Sequence, residues 1–227
     1  PYTPVTGRRF LIKDELSYMK IIEGLSSKLL GLVEQIKASS AHITFLTKEE
    51  AGILKRLGWL IRKDQQFHWK NNNYNCFDDF LNELSSRKRK NIKKERQLFK
   101  DSSIEIEHIT GEDIQEFHWD FFYKFYLDTT MKKWGQAYLN VEFFKMIGKS
   151  MKESILLVMA KRKNKYIAGA LNFIGSNNLY GRNWGCIEDH KFLHFELCYY
   201  QAIEFAIKNN LKIVEAGAQG THKISRG

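Results

Sequence analysis

The chain has 227 residues with a formal net charge of +10, 43% hydrophobic and 14% aromatic residues, and three scattered cysteines. That length and apolar content suit one domain or two small ones with a real core, and they exclude a disordered chain. No apolar run is long enough to span a bilayer. Separated thiols and the lack of a secretory signal point to a reducing, cytoplasmic setting. The positive balance points to polyanionic company, either nucleic acid or phosphorylated ligands, unless it only reflects a Lys-rich proteome. The chain starts PYTP and stops after a glycine in a loop, which reads as a piece of a longer protein.

Pro1 to Phe10 is an extended lead-in. Asp14–Lys37 is expected to be a helix, because Tyr18, Ile22, Leu25, Leu29, Leu32, Val33 and Ile36 fall on one stripe. Ala41–Leu46 alternates like a strand. Thr47 and Glu50 form a capping-box pattern that starts a helix ending at Gly58. Trp59–Arg62 and Gln66–Lys70 then read as short strands around a turn at Lys63-Asp64. Asn75 is placed to cap the next helix, whose apolar positions are Phe77, Phe80, Leu81, Leu84, Ile92 and Phe99.

That helix is unusual in its charge. Arg87, Lys88, Arg89, Lys90, Lys93, Lys94, Arg96 and Lys100 face Glu95 as the single acid between Arg87 and Lys100. Like charges at i,i+4 weaken a helix by roughly 0.2–0.5 kcal/mol per pair. An anionic partner would offset that, and phosphate is the obvious one, with Arg87, Lys90, Lys93 and Lys94 as its ligands. A solvated face, or a face meeting acids elsewhere, explains the pattern otherwise.

Ile104–Ile109 is a strand. Glu112–Asp128 is a helix crowded with aromatics (Phe117, Trp119, Phe121, Phe122, Tyr123, Phe125, Tyr126), a density that suits core more than a base-stacking platform. Asn140 caps a helix running through Met151. Ile155–Lys161, Tyr166–Ile174 and Leu179–Cys186 follow with connections so short that an antiparallel meander results. A helix from about His194 to Lys208 carries Leu197, Tyr200, Ala202, Ile203, Ala206 and Ile207 at helical spacing. It leads to an apolar strand at Leu211–Ala216, expected to run parallel to Leu179–Cys186 across a right-handed crossover.

Ligands of such a unit sit beyond the carboxyl ends of its strands. Trp184, Gly185 and Cys186 stand there on one side and Gly217 to Lys223 on the other. Gly217 and Gly220 permit tight or positive-φ backbone. His222 is the one side chain of the terminal loop that titrates near neutrality, or a histidine in a structural hydrogen bond. Lys223 and Arg226 are clamps for phosphate or carboxylate, so Lys223→Ala is expected to abolish activity without unfolding the chain. Arg182 and Trp184 share a strand face by the period of two and suit substrate binding, unless a helix covers them. Glu215 is a base, or the partner of Lys223 in a buried ion pair. Glu196 suits the positive end of its helix without any function. His190, His194 and Cys198 have helical spacing but no adjacent fourth ligand, so no metal site is expected. Cys198, mid-helix, is expected to point into packing and not to serve as a nucleophile.

The order helix, three antiparallel strands, helix, strand is that of the GNAT acyltransferase core. The motifs QFHW (Gln66–Trp69), SSRKRKNIKKER (Ser85–Arg96), LYGRNWGC (Leu179–Cys186), HFELCYYQAIE (His194–Glu204) and EAGAQGTHKISRG (Glu215–Gly227) resemble a bacterial FemAB-like family linked with peptidoglycan biosynthesis or recognition. The resemblance covers essentially the whole chain. It implies an α+β, GNAT-like (acyl-CoA N-acyltransferase) fold, a mixed sheet with helices on both faces, left from a tandem arrangement. Residues 1–75 would be the C-terminal part of a truncated first half, and 76–227 a second half opening with the basic helix and cut short at its end. It further implies aminoacyl transfer from aminoacyl-tRNA to an amine of a peptidoglycan precursor.

Two features depart from relatives of this fold. The loop Ile187–Leu193 has no glycine and two acids where acetyl-CoA-using members carry a glycine-rich pyrophosphate loop, which disfavours CoA. Thr221 stands where the family pattern has glutamate. Acyl-CoA as donor, and a non-catalytic module binding cell-wall precursor or RNA, are the competing readings.

Overall fold

The computed structural model describes residues 5–13, 16–133, 135–218 and 220–227, without the side chains of Lys133, Thr221 and His222. The chain divides into two compact units, Pro1–Gln65 and Gln66–Gly227.

The first unit holds α1 (Tyr18–Gln35) and α2 (Lys48–Arg56). Asp14, the expected start of α1, lies outside the described residues. The inward stripe of α1 is narrower than its periodicity suggests: Tyr18, Ile22 and Ser26 are buried, while Leu25, Leu32 and Ile36 are 46%, 48% and 63% exposed. The capping box forms, with Thr47 accepting from the Glu50 amide and Glu50 accepting from the Thr47 amide, both at 3.2 Å. Gly58 follows α2 at φ 89°. Glu50 is fully buried and also accepts from the Arg9 and Phe10 amides and the Tyr18 hydroxyl. Burial raises its pKa, but the backbone donors at Phe10, Arg9 and Thr47 outweigh that and hold it below the usual carboxylate value.

The strands expected at Ala41–Leu46 and Trp59–Arg62 do not form, and no strand occurs among the described residues of this unit. Phe45 takes φ 55°, which ends any extended run there. Alternation makes a strand only where a neighbour supplies the ladder.

The second unit is built on one six-stranded sheet. Its elements are β1 (His68–Lys70), α3 (Phe77–Glu83), α4 (Ser86–Lys100), β2 (Ile104–Thr110), α5 (Glu116–Lys133), α6 (Val141–Ser150), β3 (Ile155–Arg162), β4 (Lys165–Ile174), β5 (Asn178–Cys186), α7 (Leu193–Phe195), α8 (Gln201–Lys208) and β6 (Ile213–Glu215). The order across the sheet is β1-β6-β5-β4-β3-β2. β2 to β5 are antiparallel neighbours, β5 and β6 pair in parallel as expected, and β1 adds antiparallel to β6.

Two elements differ from the sequence reading. The helix expected from Phe77 through Phe99 is two helices, because Leu84 turns extended at ψ 152° and Ser85 starts α4 anew. The cap of α3 is also not Asn75: Asp79 closes the turn by accepting from the Asn75 and Cys76 amides. Farther on, α7 and α8 are one rod interrupted by a π turn at Glu196–Tyr200. Sequence periodicity has no signature for a single inserted residue of this kind.

Alternation along β3 sorts the core into two layers. Leu156, Val158 and Ala160 face α3, α4 and α8. Ile155, Leu157 and Met159 face α5 and α6. Four aromatics of α5 are core, Trp119, Phe122, Phe125 and Tyr126 being at most 3% exposed, while Phe117 is 48% exposed. α5 rides directly on β5, where a Cβ at Gly185 would stand 2.0 Å from the Phe125 carbonyl oxygen. Only glycine permits that approach.

Candidate functional site

A cleft of about 390 Å³ opens where β5 and β6 part. Their parallel ladder covers only Asn178–Tyr180 against Ile213–Glu215, although β5 runs on to Cys186. A β-bulge adds to the parting. Leu171 pairs with Asn183 and Asn172 with Gly181, so Arg182 is an extra residue without an opposite number.

The bulge breaks the period of two on which Arg182 and Trp184 would share a face. Arg182 instead donates to the Tyr138 hydroxyl at 2.9 Å, and Tyr138 packs on Tyr126 of α5. Trp184 packs against the opposite layer, with its ring 5.1 Å from that of His194 at the start of the π-interrupted helix. Both nonetheless line the cleft, one from each side of the sheet.

The other wall comes from the chain after β6. Gly217 and Gly220 adopt φ 78° and 94°, as their positions require. Gly220 and Lys223 line the cleft together with Ala216. A 3-10 turn at Thr221–Arg226 follows. Lys223 Nζ donates to the carbonyls of Ala216 and Gly217 and sits 5.3 Å from the centre of the Phe67 ring. Burial pushes its pKa down, partly countered by Cys198. The His222 side chain lies outside the described residues, as does Gln219.

Glu215 is not among the residues that line the cleft. It faces His68 across the β1–β6 ladder at 3.7 Å and accepts from Asn178 Nδ2 at 3.3 Å, so the ion pair expected with Lys223 is replaced by these contacts. Arg226 does clamp a carboxylate, but an internal one. Its guanidinium is bidentate on Glu95, at 2.8 and 3.2 Å, and lies 3.5 Å over the Phe195 ring.

The cleft residues missed in the sequence include Asn172, Asn183, Cys198 and Tyr199. Cys198, expected to point into packing, does pack against the core, and with Tyr199 of the π turn it also lines the cleft. His194, weighed in sequence only as a metal ligand, is a cleft wall, while His190 sits 2.8 Å from Glu188 in the preceding loop. That loop ends with Phe192 at φ 68° and carries the Arg162–Glu188 pair.

The basic helix does not reach the cleft by its cations. Arg96, read among them, is a buried tether: it bonds both Glu196 and Glu204, at 2.9 and 2.6 Å, and lies 4.6 Å over the Phe77 ring. Glu196 is therefore the buried half of an ion pair, not a surface residue at a helix start. Lys93 pairs with Asp78 at 3.0 Å. Arg87, Lys90 and Lys94 are exposed and fall at i, i+3 and i+7, a stripe pointing away from Ile92 and Phe99.

Several solved structures share this fold. L-PGS from Bacillus licheniformis superposes with a TM-score of 0.59 at 8% identity, over 90% of this chain and 60% of that one. FemX matches with 0.57 at 14% identity, over 96% of this chain and 73% of that one. A conserved protein of unknown function from Bacteroides thetaiotaomicron matches with 0.52 at 11% identity, over 90% and 71%. The chain thus spans 60% of the length of L-PGS, and identities this low speak for the fold alone. No curated protein sequence matches. Among the described residues no helix is long and apolar enough to cross a membrane. The FemAB-like family profile, described as peptidoglycan biosynthesis/recognition, matches residues 1–227 from end to end, and with the GNAT-like sheet, its parted strands and its loop after β6 in view, the chain belongs to that family.

Proposed function

We propose that the protein is an N-acyltransferase that moves an aminoacyl group from aminoacyl-tRNA to an amine of a peptidoglycan precursor. The observation that carries this reading is the cleft between β5 and β6, lined by Arg182, Trp184 and His194 and bordered by a lysine amine whose charged form burial disfavours. Family membership supplies the peptidoglycan context.

The chemistry asks for a neutral attacking amine. Lys223 Nζ is held by the Ala216 and Gly217 carbonyls, burial lowers its pKa, and in this proposal its uncharged form takes the proton of the attacking amine. The acceptor amine then attacks the ester carbon, a C–N bond forms, the C–O bond breaks, and the departing oxygen takes up the proton. Arg182 on one side and Trp184 with His194 on the other bind and orient the two substrates. Arg87, Lys90 and Lys94 hold the phosphates of the donor RNA. A CoA donor is less well served, since Ile187–Leu193 offers acids in place of a glycine-rich amide cradle.

The test incubates the full-length protein with charged tRNA and with nucleotide-linked or lipid-linked precursor, and follows the precursor by mass spectrometry. A gain of one aminoacyl mass that is lost in Lys223→Ala, with an unchanged Tm, is the expected result. No transfer, together with a Tm raised by CoA, would replace this reading with CoA-dependent acylation.

A further inference from the structure

The geometry points to Glu95 as a positioning residue that holds the cleft's terminal wall in its working place. This rests on the reading of the cleft as the transfer site. Ile224, the apolar residue of the terminal turn, is 54% exposed and anchors it little. The turn is held by polar ties. Lys88 Nζ donates to the Ile224 carbonyl at 2.8 Å, Lys223 ties back to Ala216 and Gly217, and Arg226 closes on Glu95.

The last tie is the built one. Glu95 and Arg226 side chains are 15% and 12% exposed, so water competes little for either. Glu95 is itself fixed, because the Tyr200 hydroxyl donates to its Oε2 at 2.5 Å. Tyr200 closes the π turn whose Cys198 and Tyr199 line the cleft. Arg226 in turn stacks on Phe195, just before that turn. One carboxylate on α4 therefore joins both walls, the π turn and the segment that presents Lys223. Its neighbour Arg96 grips the same helix through Glu196 and Glu204, so α4 cannot shift without moving these ties together.

The charge pattern of α4 acquires a second meaning. Its outer stripe of Arg87, Lys90 and Lys94 faces solvent, while Glu95, the lone acid among the cations, faces the cleft's supports. Glu95→Gln keeps the shape and a hydrogen bond but removes the charge that Arg226 needs.

Hydrogen exchange followed by mass spectrometry tests this without any activity. In Glu95→Gln the amides of 217–227 are expected to exchange about ten-fold faster, with β3, β4 and α8 unchanged. Titration with a nucleotide-linked precursor is expected to give a Kd about ten-fold weaker, because the competent loop is populated for a smaller fraction of the time. The charge swap Glu95→Arg with Arg226→Glu should restore part of both, because it re-forms the ion pair but not the bond from Tyr200. Unchanged protection of 217–227 overturns the proposal, as does faster exchange throughout the second unit, and so does a swap no better than the single variants. If the wild-type protein binds no precursor, the transfer reading fails while the exchange result still decides the role of Glu95.

Discussion

The two faces of the sheet both bury an apolar core but differ in what they add to it. Behind β3–β5, α5 and α6 close the core with rings: Phe144 alone lies within 6.2 Å, centre to centre, of Trp119, Phe122, Tyr123, Tyr126 and Phe143. In front, α4 and the π-interrupted helix meet through Arg96, Glu196, Glu204, Glu95 and Arg226. Dispersion and burial are tolerant of direction but not of lost volume. Charge-assisted bonds fix direction and lose their value once one partner is removed. The ring-packed face is therefore mainly scaffold, with Arg182 its contribution to the cleft, and the ion-paired face positions the π turn and the terminal turn that line it.

The largest expected effect lies in the scaffold. Phe144→Ala should cost about 4 kcal/mol in urea unfolding, since a fully buried ring leaves a cavity its neighbours cannot fill. A loss below about 1 kcal/mol would mean the aromatic layer is loosely packed. On the ion-paired face, Arg96→Met should cost about 3 kcal/mol by leaving Glu196 buried and unpaired. The same variant in a Glu196→Gln background should cost much less, and additive losses would contradict a shared pair.

A third prediction uses pH. His118 is buried behind the sheet, accepting at Nδ1 from the Gln115 amide at 2.9 Å, with Nε2 3.2 Å from the Tyr166 hydroxyl. Tyr166 donates to Glu107, which also pairs with Lys161. Burial pushes the His118 pKa down, with Glu107 opposing and Lys161 assisting. The folded state then binds its proton less readily than the unfolded chain, so this stability is present above the ordinary imidazole value and is lost as pH falls below it. His118→Gln should flatten that slope in denaturant titrations between about pH 7 and pH 5, a window set by the ordinary imidazole value near 6.5. An identical slope in the variant would assign it to other groups, His108 among them.

The smallest effect on stability belongs to the stripe. Lys90→Gln with Lys94→Gln should leave Tm in place and weaken RNA binding with a shallower salt dependence. Unchanged binding and salt slope would give the stripe to solvent or to a protein partner.

The meander, the crossover and the parallel β5–β6 pair were legible because each segment's periodicity agrees with its neighbours'. The strands expected in the first unit fail for want of a partner, which no local pattern reports. At the site, the loop after β6 was legible from Gly217, Gly220 and Lys223. The placing of Arg182 opposite Trp184 was not, because one bulged residue reverses a face. Nor was the place of Cys198 and Tyr199 in the cleft lining, within the π turn. The role of Arg226 is settled by Glu95, a residue more than a hundred positions away in the sequence.

The central claim is that substrates enter between β5 and β6. Hydrogen exchange of the full-length protein with and without saturating nucleotide-linked precursor tests it most directly. The account predicts slowed exchange at 181–186 and 216–223, lost in Trp184→Ala, with α5 and α6 unaffected. Protection confined to Pro1–Gln65, or to α5 and α6, would contradict it.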